Sequence, residues 1–100
     1  MKVIVKEPGA DPEVRQVENT LAALQEIVGG PIEIVRYSPG ISIICNEEGK
    51  IRHLERNFSF PREWLRIVIV GKALIAGMGK SGNYKSLTNS QIKLIQDGFK

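Results

Sequence analysis

A glycine-rich segment with a lysine follows an apolar run and carries residue types that bind phosphate. It consists of Gly77-Met78-Gly79-Lys80-Ser81, with Lys85 shortly after it. Nucleotide-hydrolysing phosphate loops have the pattern Gly-x-x-x-x-Gly-Lys-Ser/Thr and open a helix. Leu74 stands where the first glycine belongs, and Gly82-Asn83 opposes a helix, so the segment is interpreted as a mobile surface loop or a looser anion-binding loop. The candidate anion-binding residues are Gly77, Gly79, Lys80, Ser81 and Lys85.

A second candidate is a basic stretch with interleaved aromatic residues, which lies between Lys50 and Lys72. Cationic side chains neutralise phosphates, and aromatic rings stack on unpaired bases, so nucleic-acid binding is one interpretation. In the other interpretation, the aromatic rings anchor a long loop to the core and the arginines face water. The candidate binding residues are Lys50, Arg52, Arg56, Phe58, Phe60, Arg62, Trp64 and Arg66.

The conventional candidates for catalysis are Cys45, His53, Glu47 and Glu48. The two glutamates lie in a predicted turn and are expected to point in different directions into solvent. A hairpin between Cys45 and His53 could bring the thiol near the imidazole, as nucleophilic catalysis requires. Cys45 lies in a run expected to be a buried strand, however, which favours a structural cysteine. Zinc sites need about four Cys or His ligands, and this chain has one of each. We therefore assign no catalytic residue, metal or cofactor.

Length and composition bound the function classes further. One hundred residues predict a single domain over 1–100. A lone cysteine suits a reducing compartment, no apolar run approaches the roughly 18 residues of a membrane span, and the amino-terminus lacks a signal-peptide core. These features predict a soluble, cytoplasmic protein that does not engage a membrane.

The charge is unevenly distributed along the chain. Residues 1–48 hold four Lys/Arg and eight Asp/Glu, a balance of −4, whereas residues 49–100 hold ten and three, a balance of +7. Such asymmetry can mark a surface that faces a polyanion. The alternative is that the two halves interleave in one fold and that their charges are solvated.

Two helices have clear end signals. Asn19 is a suitable N-cap for a helix over about 20–28, which Gly29-Gly30-Pro31 ends. Thr88 and Gln91 form a capping-box pair at the start of a helix over about 88–98.

The remaining apolar runs predict strands. We expect 41–45 and 50–54 to form a hairpin around Asn46-Glu47-Glu48-Gly49, 55–66 to be irregular, and 67–70 to be a central strand. The predicted class is α+β, with the two helices on a mostly antiparallel sheet of four to six strands. The expected core is Ile4, Leu21, Leu24, Val28, Ile34, Ile43, Leu54, Val68, Val70, Ile75, Ile92 and Ile95.

Several short motifs resemble one known family. The most specific are Val28-Gly29-Gly30-x-Ile32-Glu33 and Asn46-Glu47-Glu48-Gly49, supported by Glu7-Pro8-Gly9 and Leu87-Thr88. In these motifs the chain resembles a small domain-of-unknown-function family of phages, prophages and other bacterial mobile elements. The basic aromatic stretch that begins at Arg56 departs from the pattern. The resemblance implies a mobile-element origin and supplies no activity or ligand.

Three functions remain open on this basis. The leading hypothesis is a non-enzymatic binding protein of a phage or mobile element, which engages a host protein and modulates a host process or defence system. The first alternative is nucleic-acid binding through 50–72. The second is binding of a small anionic, nucleotide-like ligand. The oligomeric state is left open.

Overall fold

The computed structural model describes residues 1–99, which form eight strands and two helices. The strands are β1 (Lys2–Lys6), β2 (Glu13–Gln16), β3 (Ile32–Ser38), β4 (Ile41–Asn46), β5 (Arg56–Arg62), β6 (Leu65–Val70), β7 (Ala73–Met78) and β8 (Tyr84–Lys85). The helices are α1 (Leu21–Val28) and α2 (Asn89–Gly98). Six strands form one antiparallel sheet in the order β2-β1-β7-β4-β3, with β8 also paired to β7. β5 and β6 form a separate two-stranded sheet. The predicted α+β class is confirmed.

The main sheet is covered on both faces. Because successive strand residues point to opposite sides, Val3 and Val5 face α1, whereas Ile4 faces the β5–β6 hairpin and α2. β4 and β7 are buried on both faces, which explains why their sequences are continuously apolar. The α1 side is closed by Leu24 and Val28. The other side is closed by Phe60, Ile69, Leu87 and Ile95.

Local end signals place both helices as predicted. At α2, Thr88 Oγ1 accepts from Gln91 N (3.1 Å) and Gln91 Oε1 accepts from Thr88 N (2.9 Å), which confirms the capping box. At α1 the N-cap is Thr20, not Asn19: Thr20 Oγ1 accepts from Ala23 N, while Asn19 Nδ2 donates to Tyr84 O. Within residues 1–99, neither helix is long and apolar enough to cross a membrane.

The predicted hairpin over 41–54 is wrong. Asn46 does start a turn, in which Gly49 N donates to Asn46 O (3.1 Å). The chain then continues in further turns, with Leu54 N donating to Gly49 O (3.0 Å), rather than entering a strand. The neighbours of β4 are β3, which precedes it across the Pro39-Gly40 turn, and β7, which lies far along the chain.

The expectations for 55–66 and 67–70 are also wrong. Residues 56–62 form β5, and its partner β6 contains Ile67–Val70, which lies in the two-stranded hairpin rather than in the main sheet. Glu63 makes the tip turn at a φ of 55°, although a glycine or asparagine would be usual there. Gly71, at a φ of +75°, ends β6 where a β-carbon would lie 2.8 Å from Leu54 Cδ1.

The predicted core is partly correct. Six of its residues are buried, namely Ile4, Leu24, Val28, Ile43, Ile75 and Ile95. Four are half-buried, namely Leu54, Val68, Val70 and Ile92. Leu21 and Ile34 are more than half exposed. Ile34 lies on the edge strand β3, and α1, with eight residues and a length of about 12 Å, is too short to cover the full sheet.

Asn57 fastens the hairpin to the main sheet. It lies at a register shift in β5, and its Nδ2 donates to Lys6 O (2.7 Å) and to Gly71 O (2.8 Å). Its Oδ1 accepts from Lys6 Nζ (3.2 Å), and this buried ammonium also lies 5.5 Å from the centre of the Phe99 ring. One amide therefore connects β1, β5 and the β6–β7 turn.

Replacing Asn57 with Ala should destabilise the protein by about 2 kcal/mol, because the Lys6 and Gly71 carbonyls lose a donor in a partly buried place. The measurement is urea unfolding followed by circular dichroism. Asn83→Ala is the control, since Asn83 Nδ2 binds only the exposed Ser81 hydroxyl, and it should change stability by less than about 0.5 kcal/mol. Equal unfolding midpoints for the two variants would contradict this role.

Candidate functional site

The basic aromatic stretch folds into a turn segment followed by the β5–β6 hairpin, and its aromatic rings divide between inside and outside. Phe60 is buried and Phe58 half-buried. Phe58 makes an edge-to-face contact with Phe99 (4.9 Å between centres), and Phe60 makes one with Tyr37 (5.2 Å). Both phenylalanines therefore attach the hairpin to the core and are not free to stack on bases.

The hairpin carries exposed arginines, and an exposed tryptophan lies at its tip. Trp64 is 86% exposed and Leu65 57% exposed at the tip. Arg66 Nε and Nη2 donate to Ser59 Oγ (3.2 and 3.0 Å), and Arg56 Nη2 donates to the same oxygen (3.2 Å). Two guanidinium groups thus converge on one hydroxyl. We call Arg56, Arg62, Trp64, Leu65 and Arg66 the hairpin patch.

The other cations of the stretch lie elsewhere. Arg52 Nη1 donates to Gly29 O (3.3 Å), at the carboxyl end of α1. Lys72 forms an ion pair with Glu7 (3.8 Å). Lys50 lines a cleft between β3 and β6, which Arg62 also lines. The structure therefore does not gather the whole stretch into one surface.

The candidate anion-binding residues are only partly brought together. Gly79, Lys80 and Lys85 line one open groove of about 590 Å³. Gly77 is buried within β7, and a β-carbon there would lie 2.8 Å from Lys85 O, so its role is to admit β8. Ser81 is exposed and accepts from Asn83 Nδ2 (3.2 Å), and it does not line the groove. The expected loop is largely a β7–β8 pair with a tight turn between them.

Arg36 is a third cation that lines this groove, and the sequence did not indicate it. Arg36 is paired with Ser42, and Ser42 with Ala76, so all three share the face that α1 covers farther along the sheet. Arg36 lies beyond the reach of that short helix. The sequence shows Arg36 only as a cation within a predicted strand. Its neighbours in the groove come from other strands, so the sequence does not show that they lie together. We call the groove between Arg36, Ser42, Lys80 and Lys85 the basic groove.

The basic groove is uniformly positive. Its charged lining residues are Arg36, Lys80 and Lys85, and its lining contains no carboxylate. In the part of the chain that the structure describes, none of these three cations forms an ion pair. The rest of the lining is Ser38, Pro39, Gly40, Ser42, Met78 and Gly79.

Cys45 is buried, and its thiol is protonated at neutral pH. Its Sγ is 3.9 Å from Glu33 O, and burial, aided by the negative charge of Glu33 and opposed by Lys50, raises the pKa of the Cys45 thiol to about 11. His53 is exposed in the turn that follows β4. Among residues 1–99, no three His, Cys, Asp or Glu side chains come together in a way that could hold a metal ion.

The raised pKa predicts a slow reaction of Cys45 with thiol reagents. At pH 8 the native thiolate should be about 100-fold scarcer than in the unfolded chain, because the pKa is about 11 when folded and 9.0 in the reference state. The measurement is the rate of reaction with a disulfide reagent, with and without denaturant. Equal rates would contradict the burial of this thiol.

Neutral Cys45 also contributes to the pH dependence of stability. A raised folded-state pKa means that its contribution is complete below pH 9 and is lost as pH rises towards about 11. Cys45→Ala should therefore show a smaller alkaline loss of stability than the wild type in urea unfolding at several pH values.

Comparisons with known proteins give a family but no activity. No curated protein and no solved structure matches the chain. A family model with the description Domain of unknown function (DUF3846) matches residues 1–100. The match spans both candidate surfaces, so each lies inside the family's domain rather than in an added segment. The chain belongs to the DUF3846 family of domains of unknown function.

Proposed function

We propose that this chain is a non-enzymatic binding protein that engages a protein of a bacterial host through the hairpin patch. The observation that carries the proposal is Trp64, 86% exposed at the tip of a hairpin whose other aromatic residues point inward. The chain has a single tryptophan, and it lies on the surface beside Leu65. Exposed apolar side chains grouped at a projecting tip are typical of protein interfaces.

The residue types of the hairpin patch support a protein partner. Tryptophan and arginine, with tyrosine, are enriched among the residues that dominate binding energy. Burying a tryptophan removes about 150–250 Å² from water, worth about 4–6 kcal/mol before the costs of association. The arginines of the same hairpin suit a partner with carboxylates beside its apolar pocket, because complementary charges raise the association rate.

The support of the hairpin favours a rigid binding element. Asn57 ties it to β1, and Phe58 and Phe60 hold its inner face against α2 and Tyr37. Arg56 and Arg66 are held in place by Ser59. An interface whose side chains are already ordered loses less entropy on binding.

The resemblance to phage and mobile-element proteins supports a partner from the host cell. A non-enzymatic protein of such an element would act by binding a protein of the cell that carries the element. The partner would lie in the bacterial cytoplasm and belong to a host process or defence system. A protonated Cys45 thiol at neutral pH fits a binding role rather than nucleophilic catalysis.

Single-stranded nucleic acid is the second candidate occupant of the hairpin patch. Trp64 can stack on a base while the guanidinium groups of the same hairpin contact phosphates. The inward positions of Phe58 and Phe60 leave one ring for stacking instead of three, which makes this candidate the weaker one.

Trp64→Ala should greatly reduce capture of the partner without changing stability. The experiment is affinity capture from nuclease-treated bacterial lysate, quantified by mass spectrometry. We expect one dominant protein with the wild type and at least about 30-fold less with the variant, as for a residue that contributes about 2 kcal/mol or more to binding. Ile51→Ala is the matched control, since Ile51 is 82% exposed outside the hairpin patch, and it should capture the same protein.

Equal capture by wild type and Trp64→Ala would overturn the assignment of the hairpin patch. The nucleic-acid candidate is tested separately by binding to single-stranded and duplex oligonucleotides at several salt concentrations. A phosphate-dominated complex must weaken steeply as salt rises. Tight oligonucleotide binding that is lost in Trp64→Ala, with no protein captured, would favour that candidate instead.

A further inference from the structure

We propose that the basic groove is a second binding site, for a small ligand that carries two or more phosphate groups. The site does not depend on the function proposed for the hairpin patch. It lies at the end of the main sheet where the β3–β4 turn meets the end of β7. Its residues Arg36 and Ser42 are on the α1 face, whereas the hairpin packs on the opposite face. The observation that carries the proposal is a groove that three cations line without any carboxylate.

The three cations reach the groove from three segments that backbone hydrogen bonds hold together. Met78 N donates to Gly40 O (2.9 Å), which joins the end of β7 to the β3–β4 turn. Gly79 N donates to Asn83 O (2.9 Å), which closes the turn that carries Lys80. Arg36 is held in the β3–β4 ladder opposite Ser42, and Lys85 in β8 opposite Gly77. The backbone positions that carry the three cations are therefore fixed before any ligand binds, which lowers the cost of binding.

Gly77 is the feature that lets Lys85 take part. A β-carbon at this position would lie 2.8 Å from Lys85 O and 3.0 Å from Ser86 O. Only glycine lets β8 approach so closely beside the end of β7 without a shift of the backbone. The glycine that resembled part of a phosphate loop thus acts indirectly, by positioning a lysine rather than by contacting phosphate.

The electrostatics of the basic groove favour an anion with several charges. Arg36, Lys80 and Lys85 have no ion-pair partner among the residues that the structure describes. Like charges that line one concave surface repel one another, and a polyanion relieves this repulsion while it gains three attractive contacts. The hydroxyl groups of Ser38 and Ser42 add donors of the kind that contact phosphate oxygens.

The size of the basic groove indicates a small molecule. Its volume of about 590 Å³ lies within the range of about 300–1,000 Å³ that is typical of small-ligand sites. Pro39 and Met78 give part of the lining an apolar character, which a phosphate ion alone would not use. A phosphorylated metabolite of nucleotide size suits both parts of the lining.

The test uses the full chain and inorganic pyrophosphate and tripolyphosphate as probes. Binding is measured by titration calorimetry and by amide chemical shifts, with sulfate at equal ionic strength as a reference. The groove variant Arg36→Gln/Lys80→Gln/Lys85→Gln is compared with the hairpin variant Arg56→Gln/Arg62→Gln/Arg66→Gln. Each removes three positive charges and lowers the formal net charge from +3 to zero.

We expect tripolyphosphate to bind more tightly than sulfate and to shift the amides of Ser42, Gly79 and Lys80. The groove variant should lose about 100-fold in affinity, at about fivefold for each charge. The hairpin variant should bind the probe within about twofold of the wild type. Lys80→Gln alone, which removes one exposed charge, should lose about fivefold and guards against a folding defect in the triple variant.

Three results would overturn the proposal. The first is no saturable binding of either probe at millimolar concentration. The second is an equal loss in the groove and hairpin variants, which would show a general charge effect. The third is an oligonucleotide that binds the groove more tightly than tripolyphosphate does, which would assign it to nucleic acid. Capture of a protein partner by the hairpin patch is measured in a separate assay. The groove proposal and the hairpin proposal can therefore be contradicted independently.

Discussion

The fold depends on the need to bury both faces of β4 and β7. These two strands lie in the middle of the sheet, and their side chains alternate between two hydrophobic clusters. Each face must therefore be covered by another element, because apolar side chains on an open sheet would remain in water. Helix α1 covers one face, and the β5–β6 hairpin with α2 covers the other. The hairpin patch lies on one of these covering elements, and the basic groove lies where α1 leaves the sheet uncovered.

The basic groove exists because helix α1 is too short to cover its whole face of the sheet. Helix α1 has eight residues, so its contacts end before the sheet does. Beyond it, Ile34 is left 51% exposed, and the next strand position on that face is Arg36. A longer α1 would have covered this end of the sheet with apolar contacts. The short length of α1 thus leaves Ile34 outside the core, contrary to the prediction. It also leaves a concave surface that cationic side chains line.

The sequence predicted what local rules decide and missed what distant partners decide. The ends of α1 and α2 were predictable to one residue, because Thr88, Gln91 and the glycines after Val28 act within a single turn. The α+β class followed from the number and type of apolar runs. The pairing of β4 with β7 could not be predicted, because β7 lies far along the chain and the nearer 50–54 segment competes for the same strand edge. The tip at Glu63 was missed because its positive φ has no glycine or asparagine to signal it.

The candidate site shows the same division. Gly79, Lys80 and Lys85 were recognised as possible anion ligands because they are close in sequence, whereas Arg36 joins them only through the pairing of β3, β4 and β7. Phe58 and Phe60 satisfied a composition rule for base stacking, but alternation along β5 turns both rings inward.

The inward turn of these rings has a consequence for Trp64. The hairpin has only two strands, and an isolated pair of strands is barely stable in water. Phe58 and Phe60, with the amide of Asn57, attach it to the larger sheet and so supply the stability that it lacks alone. The buried aromatic residues and the exposed one therefore have complementary roles: the first two hold the hairpin, and this lets the third project from a fixed position. A binding element supported in this way can expose an apolar tip without collapsing onto its own core, which is the property that a hairpin needs to reach into a partner's pocket.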